Sequence, residues 1–241
     1  MDFAPARADT ARPLQPALPM TERDPLRQRL DAGVAALHID LPAGARETLL
    51  AYVALLARWN AAYNLSAVRE PAAMVTRHLL DSLSVLPYVQ GTTLADLGSG
   101  AGLPGIPLAI AAPGRRVTLV DSNGKKARFL RAAVRELGLA NVAVIEARVE
   151  NAEGTFDCVT ARAFASLADM LAGGGHLLAP DGRWLALKGR MPEDELAALP
   201  EGFRVEAVHP LAVPGLDAAR HLVIISRSGA SAPEIPGSVT A

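Results

Sequence analysis

From about residue 91 to 228 the apolar residues gather into short runs, and the earlier runs are separated by helix-length stretches. That alternation specifies βαβ units wrapped around a parallel sheet. Seven strands are expected, near 93–97, 116–120, 142–146, 156–160, 183–187, 203–209 and 220–227. The last two are joined by the short "PLAVPGLDAA", with the brief helix "PEDELAALP" ahead of them, so the sheet should end in an antiparallel hairpin. Over 24–90 the apolar residues instead recur at helical spacing, as in "ETLLAYVALLARWNAAYNL". The expected organisation is a disordered tail over 1–23, a helical segment over 24–90, an α/β domain over 91–228 and a second tail over 229–241. Met20, just ahead of the first helical pattern, is a candidate natural start.

The stretch "LADLGSGAGLPGIPLAI" places Gly98, Gly100, Gly102 and Gly105 between the first strand and a helix. Glycine belongs where the backbone must reach positive φ or let a ligand lie against it, so this is a binding turn. Two frames fit. Gly100, Gly102 and Gly105 match the dinucleotide fingerprint G-x-G-x-x-G, with Asp121 21 residues after Gly100. Asp96, Gly98, Gly100 and Gly102 match D-x-G-x-G-x-G, which resembles the first motif of S-adenosylmethionine (SAM) methyltransferases. In either frame the Asp121 carboxylate can accept ribose hydroxyls. The second frame is favoured because Asp96 suits an ammonium group better than a diphosphate, and because no second substrate lobe follows the hairpin. The bland alternatives are a turn without a ligand, and N-capping for Asp96 and Asp121.

Composition closes off other classes. The chain has 241 residues, 50% hydrophobic and 20% charged, enough for one sizeable core. No apolar run approaches the roughly 20 residues needed to span a bilayer. The Ala-, Pro- and Arg-rich start has no uninterrupted signal-like segment. A single cysteine, Cys158, excludes an internal disulfide, and the five histidines show no metal-ligand spacing, so a metal site is not expected. A cytoplasmic location is the resulting expectation, and the chain is expected to be a monomer. The net charge of −1 gives no overall attraction to nucleic acid, so any such binding rests on a local patch.

In order along the chain, "RWNAAYNLSAVRE", "RHLLDSL", "DLGSGAGLPGIPLAI", "LVDSNGKKARFLRAAVRELGL", "EARVE", "ARAFASL", "ALKGRMPEDE" and "RHLVII" resemble the RsmG (GidB) family over about 25–227. Its members are bacterial small-subunit ribosomal RNA guanine-N(7) methyltransferases. The resemblance implies a Rossmann-like class I SAM-dependent methyltransferase fold, with a seven-stranded, mostly parallel sheet whose last strand is antiparallel. It implies SAM as cofactor and a guanine in the 530 loop of 16S ribosomal RNA as target. It also places Gly98 and Leu103 in the cofactor loop, Val149 and Glu150 beside the adenine, and Arg162 on the cofactor side of the fourth strand. Left to its own chemistry, Glu150 also fits a solvated acid at a helix start. Arg162 fits either the cofactor carboxylate or an RNA phosphate.

Methyl transfer to guanine N(7) needs no general base, because that nitrogen already offers a lone pair. The sequence accordingly offers no acid–base pair, and Cys158, inside the apolar "FDCVTA", is a core residue rather than a nucleophile. On the substrate side, Arg128, Arg131 and Arg135 fall within about 60° of one another on a helix, opposite Leu130, Val134 and Leu137. This stripe should face outward, as an RNA-phosphate contact or as a solvated face. Lys125, Lys126 and Lys188 are expected to extend it at the same sheet edge. Trp59 and Tyr63, at helical spacing, are expected in the core. Other readings stay open: a SAM methyltransferase of another RNA or a small molecule, an NAD-dependent oxidoreductase, and a non-catalytic RNA-binding module.

Overall fold

The computed structural model describes residues 20–162 and 166–229, with side chains from residue 25 onward. Helices α1 (Met20–Ala36) and α2 (Ala45–Tyr63) come first. They are followed by α3 (Pro71–Met74), which runs through a wider π-type segment (Val75–Leu80) into α4 (Asp81–Leu83). Then come β1 (Thr93–Leu97), α5 (Gly105–Ala111), β2 (Arg116–Val120), α6 (Gly124–Glu136) and β3 (Val142–Ile145). The chain continues as β4 (Phe156–Arg162), α7 (Leu167–Gly174), β5 (Leu178–Lys188), α8 (Glu193–Ala197), β6 (Phe203–Pro210) and β7 (His221–Arg227). The first helix begins inside the stretch expected to be tail. The rest of that stretch, the 230–241 end and the 163–165 part of "ARAFASL" lie outside the described residues.

The seven strands form one sheet in the order β3-β2-β1-β4-β5-β7-β6. Pairings from β3 across to β5 are parallel, while β7 runs antiparallel to both β5 and β6, as the hairpin signal required. The fifth strand starts earlier than expected. Leu178 pairs with Phe156, and the register then shifts so that Arg183 faces Cys158, which leaves the turn-like "APDG" as an irregularity inside the strand.

Strand side chains alternate between two layers, as a period of two demands. Leu94, Leu119, Cys158, Leu185 and Ile224 pack with α1, α2, α5 and α6. Ala95, Leu97, Val159, Trp184 and Ile225 pack on the opposite face with Leu167, Met170 and Leu171 of α7. The helical segment is thus one layer of the domain's own core, and its residues reach the carboxyl ends of the strands. Cys158 is fully buried there, and burial pushes its thiol up to about 12.

Candidate functional site

Open parallel sheets bind ligands outside the carboxyl ends of their strands, where the order reverses. Here that point lies between β1 and β4. The loop leaving β1 turns on Gly98, Gly100 and Gly102, at φ of 66°, 60° and 87°. Their uses differ. A Cβ on Gly100 would meet only the Gly98 carbonyl, so this backbone faces open space. A Cβ on Gly102 would strike Ile106 and Leu130, and one on Gly105 would strike Leu119 and Asp96, so these two glycines let α5 close against the sheet.

Three links hold the loop. The Ser99 amide donates to the Val120 carbonyl (3.0 Å), and the Gly100 amide donates to Asp121 Oδ2 (2.8 Å). The Tyr52 hydroxyl, fully buried on α2, donates to the Ala101 carbonyl at 2.6 Å. Asp121, at the end of β2, also accepts from the Asn123 amide (2.8 Å) and has Lys126 Nζ at 3.9 Å. A carboxylate offers about four lone-pair sites, so two amides leave it room to accept hydroxyls.

Asp96 is placed differently from the expectation. It has no exposed surface; its Oδ2 accepts from the Gly105 amide (3.1 Å) at the start of α5, and its Oδ1 accepts from the Thr160 hydroxyl (3.2 Å). It sits behind the loop and anchors the helix start, so the ammonium contact read from the motif has no exposed carboxylate to meet. Burial, opposed by those hydrogen bonds, pushes Asp96 up to about 6.

Leu103 is buried under the loop. Val149 is half-buried and Glu150 exposed, on a short turn after β3, with Glu150 lying over Gly173 of α7. Arg162 closes β4. Its Nη1 pairs with Asp81 Oδ2 at 3.0 Å and lies 3.5 Å from the Arg77 carbonyl. Asp81 Oδ1 takes Arg220 Nε at 2.8 Å, so one buried carboxylate carries two guanidiniums. Beside them, buried His78 shares a 2.8 Å hydrogen bond with Ser66 Oγ, and burial pushes its imidazole down to about 4. Tyr52, Asp81 and Arg220 were not singled out in the sequence. Asp81 and Arg220 sit within "RHLLDSL" and "RHLVII", and a carboxylate among leucines was the signal available.

On α6, Arg128, Arg131 and Arg135 are all exposed while Leu130 is buried, so the stripe faces outward. Arg131 is paired with Glu146 at 2.8 Å. Lys125 is exposed beside it at the helix start, where the Asn123 side chain caps both the Lys125 and Lys126 amides. Lys188 does not extend this patch. It ends β5, three strands from β2, and its Nζ lies 2.7 Å from Glu195 Oε2. Trp59 is half-buried against Phe129, ring centroids 5.6 Å apart, but Tyr63 is 39% exposed and is not core. It is the last residue of α2, and its ring centroid lies 5.2 Å from that of Trp59.

Residues 45–223 match the model of the family described as rRNA small subunit methyltransferase G, GidB. The chain is 57% identical over 202 residues to a ribosomal RNA small subunit methyltransferase G of Xanthomonas campestris pv. campestris (strain 8004), covering 83% of this chain and 90% of that one. It is 56% identical over 199 residues to the protein of the same name from Stenotrophomonas maltophilia (strain K279a), covering 82% and 93%. Among solved structures it resembles the mitomycin 7-O-methyltransferase MmcR, with TM-score 0.54, 20% identity, and 81% and 75% of the two chains covered. A SAM-dependent methyltransferase from Aquifex aeolicus gives TM-score 0.50 at 18% identity, with 65% and 93% covered. The two solved structures speak to the fold.

Proposed function

This chain belongs to the small-subunit ribosomal RNA methyltransferase G (GidB) family, and from that premise we infer that it transfers a methyl group from SAM to N(7) of a guanine in 16S ribosomal RNA, the guanine of the 530 loop. The observation that carries the chemistry is the loop itself. Three positive-φ glycines open onto space at Gly100, and the loop is wired through the Gly100 amide to Asp121. The residues fit the cofactor: Gly98, Gly100, Gly102 and Leu103 would hold its amino-acid end, Asp121 its ribose, and Val149 and Glu150 its adenine. Asp96 supports this set from behind the loop. When bound, the cofactor supplies an electrophilic methyl group on a sulfonium.

The chain's own part is orientation. N(7) carries a free lone pair, so no side chain has to remove a proton, and holding the nitrogen at near-attack distance can supply several kcal/mol. Positive charge develops on the base as the methyl group arrives. A guanidinium aimed at N(7) would oppose this, and the Asp81 carboxylate keeps Arg162 and Arg220 tethered elsewhere. Arg162 is assigned to the cofactor carboxylate.

The proposed partner is 16S ribosomal RNA, free or in the small subunit, met by Lys125, Lys126, Arg128, Arg131 and Arg135. Lys188, on another part of the rim, is assigned to an RNA contact separate from that stripe. The proposed setting is a monomer in the cytoplasm; among the described residues no helix is long and apolar enough to cross a membrane. Incubation with labelled SAM and small-subunit RNA from a strain lacking the modification tests the reading, with mass-spectrometric mapping of the label. A single N(7)-methylguanine in the 530 loop is expected. Label on another base, or none, overturns it.

A further inference from the structure

The cluster around Asp81 exceeds what the cofactor requires. Its carboxylate is 4% exposed and carries Arg162 on one oxygen and Arg220 on the other, each 24% exposed. Two positive charges against one negative leave the cluster net cationic. The hydrogen bonds made here engage Nη1 of Arg162 and Nε and Nη1 of Arg220, out of five N–H donors on each guanidinium. A planar fork fixed on one side by a carboxylate is preorganised to meet a second oxyanion on the other.

The position tells which anion. Arg162 ends β4, next to β1 and the glycine loop. Arg220 immediately precedes β7, whose His221 pairs with Lys188 at the end of β5. In the strand order β1-β4-β5-β7 its backbone enters three strands from the loop, roughly 14 Å across the sheet at about 4.8 Å per strand, and its side chain reaches back to share Asp81 with Arg162. The cofactor has one carboxylate, which the proposed function assigns to Arg162. The other anion that the substrate of the proposed function would bring is a phosphodiester of its strand.

We propose that Arg220, held beside Arg162 on the Asp81 carboxylate, is the seat for a backbone phosphate of the RNA adjoining the guanine to be methylated, with Asp81 as the positioning residue. The proposal rests on the function inferred above. It gives one small network two tasks: the phosphate contact draws the nucleotide to the carboxyl end of the sheet, and the buried carboxylate prevents either guanidinium from swinging toward the base as charge builds on it.

The test compares wild type with Arg220→Gln, Arg220→Lys and Asp81→Asn on small-subunit RNA. It reads KM for RNA, kcat, calorimetric affinity for S-adenosylhomocysteine, and the salt slope of RNA binding. For Arg220→Gln the KM for RNA should rise about tenfold or more, as for loss of a charge-assisted contact. The salt slope should flatten by about one unit, the loss of one phosphate contact. Affinity for S-adenosylhomocysteine should stay within about twofold. Arg220→Lys keeps the charge and should restore the slope but only part of the KM. Asp81→Asn keeps both cations, so it should leave the salt slope in place while lowering kcat at saturating RNA; a merely structural role would lower Tm without this split. An Arg220→Gln variant with unchanged KM and slope overturns the seat. So does one whose affinity for S-adenosylhomocysteine falls, since Arg220 would then be a cofactor residue. A wild-type chain that neither binds nor methylates ribosomal RNA overturns the function as well as the seat, which separates the two failures.

Discussion

The Tyr52 hydroxyl, wholly buried on α2, donates a 2.6 Å hydrogen bond to the Ala101 carbonyl in the middle of the glycine loop. The helical segment therefore reaches through the core and fixes the backbone that the cofactor would lie against. Tyr52→Phe keeps the ring and removes the donor, leaving a carbonyl with a lost partner in a dry place. Stability should fall by roughly 1 to 3 kcal/mol, and calorimetric affinity for S-adenosylhomocysteine should fall with it. A variant that loses stability but binds as before would show that the loop keeps its shape without this contact.

Asp121 has two jobs that can be separated. It accepts the Gly100 and Asn123 amides, and its charge is assigned to the ribose hydroxyls. Asp121→Ala removes everything and should weaken cofactor binding by roughly 1.5 to 3 kcal/mol, the range for hydrogen bonds to a charged group. Asp121→Asn retains one acceptor oxygen and should lose less. Equal affinity in wild type and the alanine variant, measured by calorimetry, would remove Asp121 from the site.

Two buried groups pull stability in opposite directions with pH. His78 titrates near 4 in the fold against an ordinary 6.5, so its contribution is whole above about pH 6.5 and is lost as pH falls toward about 4. Asp96 is raised to about 6 from an ordinary 3.8, so its contribution is whole below about pH 3.8 and is lost as pH rises through about 6. Over pH 5 to 7 the two slopes oppose each other. His78→Gln should make the protein gain stability on acidification from pH 7 to 5. Asp96→Asn leaves the His78 slope unopposed and should make the protein lose about 2 kcal/mol over the same span, since each proton bound only by the unfolded chain costs about 1.4 kcal/mol per pH step. Thermal melts at both pH values decide; parallel behaviour of the two variants would mean that neither group titrates there. The methyl-transfer rate itself should stay flat from about pH 7 to 9, since no proton is removed.

Replacing Arg128, Arg131 and Arg135 together with Gln should weaken RNA binding and flatten its salt slope by two to three units, at roughly one per lost phosphate contact. The lower figure allows for Arg131, which already holds Glu146. Cofactor affinity should hardly change, because the stripe lies on the outward side of α6. An unchanged salt slope would make the stripe a solvated face.

What could be read along the chain was what local pattern determines. The bounds of β1 and β2 follow directly from apolar runs bracketed by breakers, and β7's direction follows from the length of the connection before it. The Asp81 network could not be read this way. Asp81 meets partners 81 and 139 positions away, so only the closed sheet brings the three charges together. Asp96 was legible as a carboxylate beside the loop, but its burial was not: its oxygens accept from the Gly105 amide and from the Thr160 hydroxyl, a partner 64 positions away. Lys188 is expected from the sequence at the same sheet edge as Lys125 and Lys126, but the strand order puts β1 and β4 between them. Tyr63 shares a helical face with Trp59, but α2 ends there and its side chain is left exposed.

The strand latest in the described chain is not at the rim of the sheet. β7 slots between β5 and β6, so β6 has no partner in the sheet until β7 arrives, and the apolar edge of β5 stays open until then. β1 to β4, by contrast, pair among themselves through residues no later than 162. The order of the strands along the chain therefore differs from their order in the sheet. The glycine loop and Asp121 precede the closing strand in the chain, whereas Arg220 enters with it. A nascent chain halted before β7 would lack Arg220, and the uncovered edge of β5 would be open to other chains.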